Sequence, residues 1–200
     1  MRLIATIMLI ALMLGWGLGG GLRALADVRL HWWPLIPVAL VLQGVPVPAV
    51  AEDVGGGLPV WVLLGSYGVL LVAVVRNWRL RGFVAIAIGV VLNATVIGIN
   101  QGMPVSGNAI RESGNLSLFE GLPRERGGGN KHHLAGEDDI LLFLADTVPV
   151  RQPFGVVVSV GDIAIDLGAA TFLVAAMVGR PERHPEEPEL PRARRSGTRR

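Results

Sequence analysis

The chain has 200 residues, 51% of them hydrophobic and 17% charged, with a net charge of +2. A soluble domain usually has about a quarter of its residues charged, so the composition points to an integral membrane protein. It also excludes two classes. Without cysteine there is neither a disulfide framework nor a thiolate metal site. Seven of the eighteen basic residues lie in the last 21 positions, so the basicity is a local tail and not a nucleic-acid-binding face.

Five apolar runs read as membrane spans, each near the ~20 residues needed to cross a bilayer. Residues 3–22 form an uncharged first span with Gly15, Gly17, Gly19, Gly20 and Gly21 for close helix contact. Ala24-Leu25-Ala26 resembles a signal cleavage site. The apolar run exceeds the 7–15 residues of a signal core, however, so the span is expected to stay. Residues 32–50 follow, with Pro34, Pro37, Pro46, Pro48 and Gln43, and predict a kinked or short helix. Residues 51–57 make a tight turn. The third and fourth spans, 58–75 and 82–99, are joined by the basic connection 76–81.

Residues 100–153 are rich in turn formers and have too few large apolar side chains for an independent core. Residues 140–148, ILLFLADTV, are apolar but too short to span, and Asp138 and Asp139 precede them as caps. The expectation is an interfacial or re-entrant helix over about 139–148. The fifth span, 154–178, carries Asp162 and Asp166 in its interior. An Asp at a helix centre costs about 2.5–3.5 kcal/mol on the insertion scale, and large apolar residues return about 0.3–0.6 kcal/mol each. That sum is near zero, so the helix needs neighbours. The Pro, Glu and Arg-rich tail, 180–200, is expected to be disordered. The predicted fold is therefore all-α, a bundle of five spans with one outer interfacial helix. Lys and Arg are concentrated in the connections at one end of the bundle and in the tail. The positive-inside rule then puts the N-terminus and the long loop outside and the C-terminus in the cytoplasm of a cell membrane.

On a helical wheel, Gly155, Ser159, Asp162, Asp166, Ala169 and Ala176 share one face of the fifth span. Counted inward from the outer ends of their spans, Gln43, Ser66, Asn93 and Asp162 fall at roughly 10–12 Å depth. Asn93 and Asn100, seven apart, share a helix face. These residues, with Asp146, form a candidate polar layer. It serves either interhelical hydrogen bonding or an outward-facing site in which Asp162 carries charge or a proton. His132 and His133 sit beside Glu137, Asp138 and Asp139, but adjacent histidines diverge on any regular element and lack metal-ligand spacing. No metal or other cofactor is expected. The bilayer and other membrane proteins are the expected partners, with no nucleic acid.

Asn100-Gln101-Gly102-Met103-Pro104-Val105-Ser106, Lys131-His132, Leu144-Ala145-Asp146 and Ser159-Val160-Gly161-Asp162 resemble stretches of the bacterial membrane proteins grouped as domain of unknown function 5317. The resemblance runs over nearly the whole chain to about Val178, and 127–130 and the tail depart from it. It implies a bacterial envelope membrane protein and carries over no activity, cofactor or site residue. Three readings follow. The first is a structural or partner-binding membrane protein. The second is a small-solute, ion or lipid binding or transport component using Asp162 and Asp166. The third is an outer-face enzyme pairing Asp162 or Asp146 with His132 or His133, which requires a histidine within hydrogen-bond reach of a carboxylate.

Overall fold

The computed structural model describes residues 2–44, 58–124 and 131–179. The end of the second expected span, the 51–57 turn, the 127–130 elaboration and the arginine tail lie outside the described residues. Among the described residues there are seven α-helices: α1 (Arg2–Gly17), α2 (Leu22–Ala26), α3 (Leu35–Gly44), α4 (Leu58–Arg76), α5 (Phe83–Asn100), α6 (Gly107–Ser113) and α7 (Val160–Val178). By length and composition α5 and α7 could cross a membrane, whereas α1 and the Val60–Arg76 part of α4 are apolar but shorter.

The long helices pack in the order α1, α7, α5, α4, α3, so the last helix of the sequence lies between the first and α5. Two glycine pairs explain the closeness of α5 and α7. A Cβ on Gly168 would stand 2.6 Å from the Gly82 carbonyl oxygen, and one on Gly89 would run into the Gly161 carbonyl. Gly82 and Gly89 are seven residues apart, as are Gly161 and Gly168, so the antiparallel backbones meet twice, two helical turns apart. Ile165 and Phe172 fill the space beside these contacts, and Phe172 meets Phe83 edge to face at 5.2 Å.

At one end, the Asn77 side chain clasps the connection between α2 and α3. It accepts from His31 N at 2.8 Å and donates to His31 O at 2.8 Å. The Arg76 guanidinium lies 5.9 Å from the Trp32 ring. Arg76, Arg79 and Arg81 thus share an end with Arg23 and Arg29. The glycines after α1 break the expected first span here: Gly19 has φ 83° and Gly21 N donates to the Met177 carbonyl at 3.1 Å.

The opposite end carries a cap containing strands, which corrects the all-α expectation. Strand β1 (Met103–Val105) pairs in parallel with β2 (His132–Leu134), and Asp146 bridges to Val105 on the same strand. Strands β3 (Val148–Val150) and β4 (Val156–Val158) form an antiparallel pair. Met103 and Ala145 drop into an apolar cluster with Val60 and Leu63 of α4 and Val96 and Ile97 of α5. The cap therefore borrows the helices' core, as its own shortage of large apolar residues requires.

The helix expected over 139–148 is also corrected. Leu142–Leu144 make one 3₁₀ turn, and β3 begins at Val148. The backbone groups a helix would use are taken elsewhere. Ile140 bonds to the Asn100 side chain at both its N–H and its carbonyl, and Asp146 bonds to Pro104 and Ser106. The Asp139 carboxylate, expected as a cap, receives Gly136 N and faces His133 instead. Side-chain and strand partners outcompete a local helix of only ten residues. A third difference is the start of α7. The helix begins at Val160, and Val156–Val158, three β-branched residues, belong to β4.

Candidate functional site

The candidate site lies where the cap meets the ends of α5 and α7. Its base is a closed ring of hydrogen bonds. Ser159 N-caps α7: Asp162 N donates to Ser159 Oγ at 2.9 Å, and Ser159 N donates to Asp162 Oδ2 at 3.1 Å, a reciprocal capping box. Ser159 Oγ then donates to Asn93 Oδ1 at 2.9 Å, and Asn93 Nδ2 donates to Asp162 Oδ1 at 2.7 Å. Asn93 and Ser159 are fully buried, Asp162 half-buried. Gly161 makes this approach possible, because any Cβ there would strike the Asn93 side chain.

The ring changes what Asp162 is. A span starting at residue 154 would hold it two turns inside the bilayer. With α7 starting at Val160, it occupies the first turn, where the helix dipole favours a negative charge and both oxygens accept hydrogen bonds. The cost that an isolated carboxylate would carry in the middle of an apolar helix is largely removed by local geometry. Asp166, one turn deeper, is half-buried and within electrostatic reach of Asp162.

Above the ring sits Asp146, its side chain 9% exposed, with His132 Nε2 3.7 Å from its Oδ2. Burial, and then the charge of Asp162, push the Asp146 carboxyl well above its usual range. His132 is pushed below its ordinary value by desolvation, with Asp162 acting in the opposite sense. Among the described residues, no lysine or arginine forms an ion pair with Asp146 or Asp162. The chain's one tyrosine, Tyr67 of α4, reaches the Asn93 amide and senses both carboxylates. The arrangement is a pair of carboxylates with an imidazole at its rim, suited to holding a cationic group or a shared proton.

The other expected residues go to different places. Asn100 is buried and ties the end of α5 to the cap, bonding Val96 O at 3.0 Å within its own helix and Ile140 beyond it. Ser66 is buried, but its hydroxyl donates to Leu63 O one turn back on α4. Gln43 Nε2 is buried without a hydrogen-bond partner among the described residues. His133, buried with Asp139, contacts both carboxylate oxygens at 3.0 and 3.1 Å and fastens the turn after β2. Among the described residues, no group of three His, Asp or Glu side chains is arranged to hold a metal ion.

Tyr67 and the four crossing glycines were not among the expected site residues. The glycines did leave a signal, the equal spacing of Gly82/Gly89 and Gly161/Gly168 on two apolar segments. Tyr67 left none, since one tyrosine in a continuous apolar run looks like any interfacial aromatic. The stretches behind the family resemblance (100–106, 131–132, 144–146 and 159–162) do converge on this one junction.

A family of unknown function, DUF5317, matches residues 27–174. An uncharacterized protein of Thermotoga maritima (strain ATCC 43589 / DSM 3109 / JCM 10099 / NBRC 100826 / MSB8) is 34% identical over 112 residues. That stretch covers 54% of this chain and 60% of the relative's length. No solved structure matches.

Proposed function

The chain belongs to the DUF5317 family of unknown function, and from that premise we propose a multi-pass membrane protein of the bacterial envelope. In this reading the cap faces outward, and the buried polar residues lock it to the helices so that it presents a fixed surface to partners. The N-terminus is outside, the C-terminus cytoplasmic, and the five apolar segments span or line the bilayer. The closed ring of Asn93, Ser159 and Asp162 carries the structural part of the reading. It satisfies the side-chain groups that join α5 to α7, as a packing device should. The membrane part is supported by the row of exposed large apolar side chains, among them Leu9, Met13, Val41, Trp61, Val84 and Leu167. It is supported too by the gathering of Arg23, Arg29, Arg76, Arg79 and Arg81 at the end away from the cap.

The absence of cysteine makes the topology directly testable. With Glu120→Cys and Arg79→Cys made separately, a membrane-impermeant maleimide should label position 120 in intact spheroplasts and position 79 only after lysis. The reverse pattern, or extraction of the protein by alkaline carbonate, sinks the reading.

A second reading rests on Asp146. A buried carboxyl within electrostatic reach of another carboxylate, with no lysine or arginine partner among the described residues, favours a small outer-face site for a cationic solute or a proton. Catalysis draws less support. His132 lies outside hydrogen-bond distance of Asp146, and His133 is enclosed with Asp139. Asp146→Asn separates the two readings. Normal abundance with a lost cellular phenotype favours the solute site, whereas a phenotype equal to wild type favours the structural one.

A further inference from the structure

The cap is short of large apolar residues and borrows a core from the helix ends, yet it leaves some of its own outside. Ile140 is 54% exposed, Leu142 38% and Phe143 69%, while Leu141 and Leu144 pack against the cluster of Val60, Leu63, Val96 and Ile97. The turn is held firmly in this arrangement. Leu141 has φ 56°, in the left-handed region that residues with a side chain rarely enter. Such a conformation persists only where its surroundings fix it. Here the Asn100 side chain binds both backbone groups of Ile140, at 2.9 Å each, and Leu141 and Leu144 are seated on the helices. The fold accepts local strain to keep one set of apolar side chains in and another out.

Two observations identify what the outer set meets. The first is its level. Asn100 is the last residue of α5, and Val60 and Leu63 lie near the start of α4, so the turn sits where the apolar helices end. Trp61, 70% exposed, stands at the same end of α4. Exposed aromatic side chains at the ends of apolar helices mark the boundary between headgroups and hydrocarbon. The second is the backbone. Besides the two bonds of Ile140, Leu144 N donates to Leu141 O at 2.8 Å and Ala145 N to Leu142 O at 3.1 Å. A turn so engaged can lie at that boundary, though not in the hydrocarbon itself, from which lipid-exposed irregular backbone is excluded.

We propose that Ile140, Leu142 and Phe143 form an apolar knuckle that enters the lipid surface of the outer leaflet and ties the cap to it. This inference rests on the membrane reading above and adds to it a lipid contact made by the cap. The three side chains carry no charge, so the contact is made by shallow apolar insertion and needs no particular headgroup. The cap is then fixed to the membrane surface as well as to the helices.

The test uses the absence of cysteine. Full-length Phe143→Cys and Glu120→Cys, the latter at another exposed position of the cap, are each labelled with a nitrobenzoxadiazole probe. Both are reconstituted into phosphatidylcholine vesicles permeabilised with alamethicin, so that dithionite in the water reaches both sides. At position 143 the emission should shift to the blue, be quenched by lipids spin-labelled high on the acyl chain, and resist bleaching by dithionite. At position 120 the probe should escape the lipid quencher and be bleached at once. Equal behaviour of the two positions overturns the proposal. Protection from dithionite at 143 without quenching by lipid also overturns it, because protein and not lipid would then cover the turn. Should Phe143→Cys fail to accumulate, Ile140→Cys carries the same test. Carbonate extraction is scored in parallel. An extractable protein would defeat the membrane reading, whereas an integral protein with a water-exposed probe at 143 would defeat only the knuckle.

Discussion

Helix α7 has two neighbours and treats them differently. Toward α5 it presents Gly161 and Gly168, and the atoms a side chain would meet there are the backbone carbonyls of Gly89 and Gly82 and the locked Asn93 amide. Toward α1 the close approach is confined to one end. A Cβ on Gly15 would stand 2.6 Å from the Met177 sulfur. Beyond that the two helices part around a cleft lined by Leu14 and Val174, among other apolar residues. Glycine occupies both seams, but for unequal reasons. Backbone carbonyls cannot move without bending a helix, whereas the methionine sulfur at Gly15 turns aside through soft torsions; within the α1 seam, backbone meets backbone at Gly20, in the turn after α1, against the Met177 carbonyl. The comparison teaches that the α5–α7 pair, with the ring above it, is the rigid spine of the molecule, and that α1 is an adjustable partner.

The largest expected effect is on the spine. Gly161→Ala should destabilise by about 3 kcal/mol or more, because the added methyl strikes Asn93 and breaks the ring while forcing the helices apart. Thermal unfolding in detergent, or a fall in yield, would register it, and a wild-type melting curve would remove the spine from the account. Asn93→Ala should cost about 2–3 kcal/mol, leaving the Ser159 hydroxyl proton without its acceptor and Asp162 Oδ1 without its donor in a buried site. The matched change on the other seam, Gly15→Ala, should cost about 1 kcal/mol or less. Met177 can swing away, and alanine returns up to about 1 kcal/mol of helix propensity. If Gly15→Ala equalled Gly161→Ala, the two faces of α7 would not differ as described.

The smallest effect is the pH slope at the cap. Asp146 has its folded pKa raised from 3.8 by burial and by Asp162. The folded protein therefore holds a proton that the unfolded chain has already lost. Its contribution to stability is complete below pH 3.8 and is lost as the pH rises to the raised folded value. His132 acts in the other direction. Its pKa is lowered from 6.5, so stability is lost as the pH falls from 6.5 toward the folded value. Melting temperatures recorded from pH 4 to 8 should show less decline with rising pH in Asp146→Asn than in the wild type. An unchanged slope would mean that Asp146 is better solvated than its burial implies.

Much of the helical layer was legible in the sequence. The third and fourth apolar runs, 58–75 and 82–99, differ from α4 and α5 by a residue at most of the boundaries. Continuous apolar stretches bounded by glycine, proline or arginine leave little choice of conformation or limits. Asn93, Ser159 and Asp162 could be named beforehand for the same reason, since polar groups within apolar runs are few and costly. Their partnership could not be named. It depends on α7 beginning at Val160, and the competition between extending the helix and giving Val156–Val158 to a hairpin with Val148–Val150 is settled by strand pairing that a helical periodicity does not reveal. The same holds for residues 139–148. Locally they favour a helix, but Asn100 and the β1 strand claim their backbone groups first.

The sequence by itself determined that this is a mostly helical chain with apolar helices, its basic residues grouped in particular connections and its few buried polar side chains worth attention. Those are properties of local composition and periodicity, and they need no knowledge of which segments meet. Only the tertiary structure decided that α7 lies between α1 and α5, that Asp162 caps a helix end instead of sitting unpaired in its middle, and that Asp146 comes within electrostatic reach of it. The helix order and the Asn93–Asp162 bond depend on segments tens of residues apart, and the start of α7 and the approach of Asp146 on nearer segments that lie outside the helix itself. Hydrogen-bond satisfaction and backbone fit across such distances are fixed only when the whole chain has packed.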